Sequence, residues 1–245
     1  MQDTGFVLSA MGMLIRRKLS SEPQYPYMVA KEIFIIEQII KRHKPGNCLE
    51  WGSGYSTLFF SRFLTKEAKW YSIEHDKKWY EEIRPKISVL KNVELALVEP
   101  DHQPWTDKQG DGSYDDMRSY ILYPKEKLLA GGEGMEAGKG GPLAKGKFDF
   151  ILVDGRARKH CLEQAGGLLS EKGILVLHDA NRKHYLEGRT KKWEHEHLFT
   201  DERTDAGGLL IASNSDIGPE LERFRMVWSA SERWERRKGF RMAFK

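Results

Sequence analysis

The sequence predicts an α/β fold: a doubly wound, mostly parallel sheet with helices on both faces. Three observations carry the prediction. Short apolar runs alternate with stretches of helical period along most of the 245 residues. The first apolar run, Cys48 to Trp51, breaks into a turn holding Gly52 and Gly54 just before a second helical pattern. The next run ends in an acidic residue, Glu74, at the roughly 20-residue spacing at which such folds grip a nucleotide.

The elements follow in order. Val29 to His43 carries Ile33, Ile36, Ile39 and Ile40 on a helical period and should pack just before the first strand, with Pro45-Gly46 ending it. Cys48 to Trp51 is the first strand and Trp70 to Ile73 the second. Asn92 to Val98 is the third, and Phe148 to Val153 the fourth, stopping at Asp154-Gly155. Arg158 to Leu169 should be a helix, followed by a turn at Ser170 to Gly173. Strand five, Ile174 to Leu177, stops at His178-Asp179-Ala180-Asn181. His197 to Thr200 and Gly208 to Ala212 read as the last two strands.

Between strands three and four, residues 101–147 form an insertion far longer than the median connection of about 4–6 residues. Its first half holds Trp105, Tyr114, Tyr120 and Tyr123, with Asp115 to Leu129 helical, so Tyr120 and Tyr123 are expected to line a substrate mouth. Its second half, Gly131 through Gly141 and Gly146, reads as a glycine hinge for a lid. The bland alternative is a cover for the sheet edge.

Composition bounds the function. With 40% hydrophobic residues, the chain can bury one complete core, so a single domain over 1–245 is expected: core 29–213, N-terminal extension 1–28, insertion 101–147 and tail 214–245. Lys+Arg 40 against Asp+Glu 36 leaves a net charge of +4, too weak a field to imply nucleic acid. Two cysteines cannot build a disulfide framework, which suits a reducing, cytoplasmic setting. No apolar run approaches the roughly 20 residues of a membrane span.

The glycine turn discriminates between cofactors. Glycines allow a tight turn and close approach of a ligand to the backbone. A dinucleotide site would want a third glycine where Thr57 stands and would not need Glu50. A carboxylate at the end of the first strand suits a cationic ligand group, which S-adenosyl-L-methionine carries. The run Glu50-Trp51-Gly52-Ser53-Gly54 resembles motif I of the class I (Rossmann-like) methyltransferases. That resemblance implies a seven-stranded sheet ending in an antiparallel hairpin. It also implies a cofactor site at Glu50, Gly52, Ser53, Gly54, Ser56, Thr57, Glu74 and His75, with Glu74 on the ribose hydroxyls.

In open α/β sheets, ligands bind outside the carboxyl ends of the strands. Asp154 and the His178-Asp179-Ala180-Asn181 group are therefore the expected chemical residues. These phrases resemble small-molecule O-methyltransferases, in which equivalent positions hold a divalent cation. The resemblance implies Mg²⁺ or Mn²⁺ on Asp154, Asp179 and Asn181, although here Ala180 separates the Asp from the Asn. Without metal, His178 or Asp179 could take the proton from an attacking hydroxyl, with His160 a more remote candidate. Arg156 could clamp a carboxylate or phosphate of the substrate, while Arg158 reads as a salt-bridging residue.

No Asn-Pro-Pro-Tyr run follows strand four, and Cys161 lacks the prolyl neighbour of a cytosine-attacking thiol. An oxygen of a small molecule or saccharide is the acceptor that remains. The alternative is a non-catalytic binding protein that engages RNA or protein through its tail, where Arg225, Arg233 and Arg236 interleave with Phe224, Trp228 and Trp234. Such a tail more commonly docks on its own domain or on a second copy.

Overall fold

A computed structural model of the chain describes residues 25–107, 109–129, 146–190, 193–201 and 204–238. Its strands are β1 (Asn47–Trp51), β2 (Lys69–Glu74), β3 (Val93–Leu97), β4 (Phe148–Val153), β5 (Leu169–His178), β6 (His195–Phe199) and β7 (Leu209–Ser213). They form one seven-stranded sheet in the order β3-β2-β1-β4-β5-β7-β6. The first five run parallel, and β7 enters antiparallel between β5 and β6. The order reverses between β1 and β4, which opens a crevice above their carboxyl ends.

The helices are α1 (Ala30–His43), α2 (Tyr55–Phe60), α3 (Lys77–Ile87), α4 (Arg118–Tyr123), α5 (Arg158–Leu168) and α6 (Gly218–Lys238). α1 ends where Lys44 turns left-handed, at φ 46°, rather than at the following Pro-Gly. α4 runs into a wider π turn over Pro124–Leu129. Ser170 to Gly173 is not a turn but the start of β5, and a register shift against Phe148 and Phe150 accommodates it. Gly131 through Gly141, the expected hinge, lie outside the described residues.

Side-chain parity divides the core. Leu49, Trp51, Ile151, Val153, Leu175 and Leu177 face α4 and α5. Cys48, Trp70, Phe150, Leu152, Ile174 and Val176 face α1 and α6. Each large side chain buried in this way contributes on the order of 1.5–3 kcal/mol. The tail belongs to the second layer: Leu221, Phe224, Val227 and Trp228 of α6 are buried in it. The apolar stripe that an RNA-binding tail would present is thus spent on the chain's own core. Lys31 of α1 fastens this contact. Its ammonium lies 4.0 Å from the Trp228 ring centroid and within 4.0 Å of Asp201, Glu232 and Glu235.

Candidate functional site

Strand parity also builds the site. β1 pairs Glu50 with Ser72 and Leu152, and β4 pairs Leu152 with Val176. One pleat further on, the same register sets Glu74, Gly52, Asp154 and His178 in a row across the carboxyl edge of the sheet. Above this row lies a crevice of about 700 Å³ lined by Gly52, Ser53, Glu74, His75, Asp154, Arg156, Arg158 and Asp179, among others. It continues into a lobe of about 470 Å³ reached by Tyr27, Trp79, His178 and Arg182.

Gly52 makes the crossover possible. Its φ is +94°, and a Cβ there would come within 2.5 Å of the Gly155 Cα, so the turns after β1 and β4 pack backbone to backbone. Ser53 is tied to β2, with its N–H and hydroxyl both donating to Glu74 Oε2 at 3.0 Å. Glu74 Oε1 accepts from the N–H groups of His75 and Asp76, each at 2.8 Å. Burial pushes the Glu74 carboxyl up, but His75 and these hydrogen bonds outweigh it and hold it below its ordinary value. Trp79 closes the turn, donating its indole N–H to Ser53 O at 2.8 Å.

On the other side of the crevice, His178 stands between two carboxylates. Nδ1 is 2.8 Å from Asp154 Oδ1, and Nε2 is 3.2 Å from Glu32 Oε2. Because ionised carboxylates only accept, both ring nitrogens must donate and the ring is an imidazolium. Burial alone would lower its pKa, yet Asp154 and then Glu32 raise it to about 10. Glu32 also takes the N–H of Val29 at 2.9 Å and that of Gly208 at 2.6 Å, tying α1 to the end of β5 and to the start of β7.

Arg158 spans the tips of β4 and β5. It donates to the carbonyls of Gly155, His178 and Asp154 at 2.8–2.9 Å, and lies 3.3 Å from Asp154 Oδ1 and 3.4 Å from Asp179 Oδ2. Burial would lower its pKa, but the two aspartates raise it. Asp179 is held in a left-handed conformation, φ 62°, which Asp tolerates better than most residues. Its Oδ1 accepts the N–H of Gly207 at 2.5 Å.

No protein-family model matches the chain, and no curated protein matches its sequence. Solved structures do match its shape. An O-methyltransferase from Bacillus cereus in complex with SAH gives a TM-score of 0.51 at 12% identity, covering 85% of this chain and 90% of that one. Cofactor-bound Rv0187 from MTB gives 0.50 at 13% identity, covering 86% and 91%. The chain has the class I methyltransferase fold.

Within that methyltransferase fold, several expected site residues lie elsewhere than the sequence suggested. Glu50 is 0% exposed and lines neither lobe. Cys48 and Glu50 share a strand face, so the carboxylate points under α2 instead of into the crevice. There it accepts from Ser56 Oγ at 2.5 Å, Thr57 Oγ1 at 2.5 Å, Trp70 Nε1 at 2.8 Å and Ser72 Oγ at 3.0 Å. Held by these four donors and lining neither lobe, it supports the turn from below, away from the crevice. Burial, only partly offset by these bonds, raises its pKa to about 7. Thr57 is fully buried with it, and its hydroxyl also accepts the N–H of Gly54 at 3.1 Å. Ser56 reaches the smaller lobe, but its hydroxyl is committed to Glu50.

Tyr120 is also fully buried. It packs beneath His75, with ring centroids 5.7 Å apart, and lines no part of the crevice, nor does Tyr123. Among the described residues, Tyr27, Trp79 and Trp105 line the larger lobe and Tyr55 the smaller one. The doubly donating His178 has no lone pair with which to act as a base. His160 pairs with Glu163 at 3.0 Å and lines neither lobe.

The expected metal set does not assemble. Asn181 donates its amide to the carbonyls of Asp201, Thr204 and Ala206 and accepts the Asp201 N–H, which anchors the β5–β6 connection. The Arg158 guanidinium stands between Asp154 and Asp179. Among the described residues, no group of three or more His, Cys, Asp or Glu is placed to hold a metal ion.

Arg156 does line the crevice, stacked 5.8 Å from the Trp105 ring centroid and 3.9 Å from Asp111. Sequence reasoning missed Glu32 and Arg182. Glu32 left a trace, because it stands at the third position of α1, where a carboxylate reaches back to cap its own helix.

Proposed function

We propose that the chain transfers the methyl group of S-adenosyl-L-methionine to an oxygen of a small-molecule or saccharide acceptor. One observation carries this reading: the glycine turn, Glu74, Asp154 and Asp179 all border a single crevice at the point where the strand order reverses. The related fold solved with SAH supports the choice of cofactor. The cofactor supplies an electrophilic methyl on a sulfonium. The backbone of Gly52 and Ser53 would line its site, and Glu74 would accept from the ribose hydroxyls in place of the Ser53 hydroxyl.

The reaction asks mainly for an acceptor oxygen held in line at about 3–3.5 Å from the methyl carbon. The new O–C bond forms as the S–C bond breaks, and the acceptor proton passes to a carboxylate. Asp154 suits this role best. Its Oδ1, not its Oδ2, is the atom engaged by His178 and Arg158, and the residue borders both lobes of the crevice, while the Asp179 carboxylate is held by Gly207, Arg158 and Arg182. Arg156, 43% exposed at the mouth, is available to clamp an acidic group on the acceptor.

Calorimetric titration with S-adenosyl-L-methionine and, separately, with nicotinamide dinucleotides tests the cofactor. Mass spectrometry of a metabolite pool incubated with labelled methyl donor tests transfer. Saturable binding of the dinucleotide alone would end this reading.

A further inference from the structure

We propose that Arg158 is the built-in cation of this site, and that the acceptor end works without a divalent metal because the guanidinium occupies the place between Asp154 and Asp179 that such an ion would need. The proposal rests on the methyl-transfer reading only in taking these two aspartates to face the acceptor.

Geometry carries it. A divalent ion bridging the two carboxylates would need several oxygens at about 2.0–2.6 Å, depending on the ion. Instead, one terminal nitrogen of Arg158 is 3.3 Å from Asp154 Oδ1, and the other is 3.4 Å from Asp179 Oδ2. The side chain cannot easily swing away. Its three hydrogen bonds to carbonyls at the tips of β4 and β5 fix the plane of the fork, and its Cζ lies 5.3 Å from the Tyr185 ring centroid. The third expected ligand, Asn181, is spent on backbone.

Formal charge closes as well. The carboxylates of Asp154 and Asp179 face the guanidinium groups of Arg158 and Arg182, and each guanidinium lies within 4.0 Å of at least one of them. An added divalent ion would leave that cluster strongly positive. Arg158 acts as a positioning residue: it holds the strand tips together and aims the Asp154 carboxylate, with no donor left for the acceptor itself.

The test is a Mn²⁺ titration of the full chain followed by electron paramagnetic resonance, with and without SAH, alongside calorimetry of SAH binding in chelator. Wild-type protein is expected to leave the free-Mn²⁺ signal unchanged and to bind SAH equally well in chelator. Arg158→Ala should gain one Mn²⁺ site, abolished by adding Asp179→Asn, whereas Arg158→Lys should gain none. Stoichiometric Mn²⁺ uptake by wild type that disappears in Asp179→Asn would overturn the proposal. So would a folded Arg158→Ala protein that takes up no Mn²⁺. If Arg158→Ala does not fold, as judged by circular dichroism, the wild-type titration still decides. Failure to bind SAH at all would sink the methyl-transfer reading while leaving the Mn²⁺ result readable.

Discussion

His178 Nε2 lies 3.2 Å from Glu32 Oε2, joining side chains 146 residues apart in the sequence. With Asp154 on its other nitrogen, the ring is charged in the folded protein up to about pH 10, against an ordinary value of 6.5. A raised folded pKa means stability that is complete below pH 6.5 and is lost as pH climbs toward 10. The stability difference between wild type and His178→Gln, measured by urea denaturation, should therefore shrink steadily over that window. A difference that stayed flat over that window would show the ring to be neutral in the folded protein. Nitrogen-detected NMR of the imidazole should report two protonated nitrogens at pH 7.

Glu50 gives a second, separable prediction. Glu50→Ala strands the buried donors of Ser56, Thr57, Trp70 and Ser72, and leaving such groups unpaired costs about 1–3 kcal/mol each before relaxation. A loss of at least about 2 kcal/mol in urea unfolding is expected. If Glu50 met the cofactor directly, stability would hold and only cofactor binding would fall.

Glu74→Ala should weaken SAH binding about tenfold or more in calorimetry, since a hydrogen bond to a charged group is worth about 1.5–3 kcal/mol. An unchanged affinity would remove the ribose role from Glu74. Because Ser53 loses its anchor in the same variant, the turn should also become more mobile, read as faster amide exchange at Ser53.

Lys31→Met should destabilise the protein by about 3 kcal/mol or more, because Asp201, Glu232 and Glu235 would lose the cation they surround. Adding Glu235→Leu should recover part of the loss. A neutral Lys31→Met would mean that α6 is held by its apolar stripe alone.

Much of the fold was legible in local pattern. Alternating periods placed α1, the strands and α5 within a few residues, because amphipathic period depends on chain geometry and burial alone. Ser170 to Gly173 misled: glycine and charge suggested a turn, yet the strand runs on through them, taken up by the register shift between the Phe148–Leu169 and Phe150–Ile174 pairs. Tyr120 misled in another way. An aromatic residue in a long insertion suggested a substrate wall, but α4 turns it beneath the β2 and β4 tips.

From the sequence alone came the sheet, the glycine turn and the correct strand-end positions of Glu74, Asp154 and Asp179. These depend on residue types and spacing along one chain. What each carboxylate faces was decided only by tertiary structure. Glu50 went under α2, the predicted base became an imidazolium between Asp154 and Glu32, and Arg158 took the centre of the expected metal set. The reason is physical. The charge state and free lone pairs of a buried polar group are set by the partners packed around it, and here those partners come from strands and helices far apart in the chain.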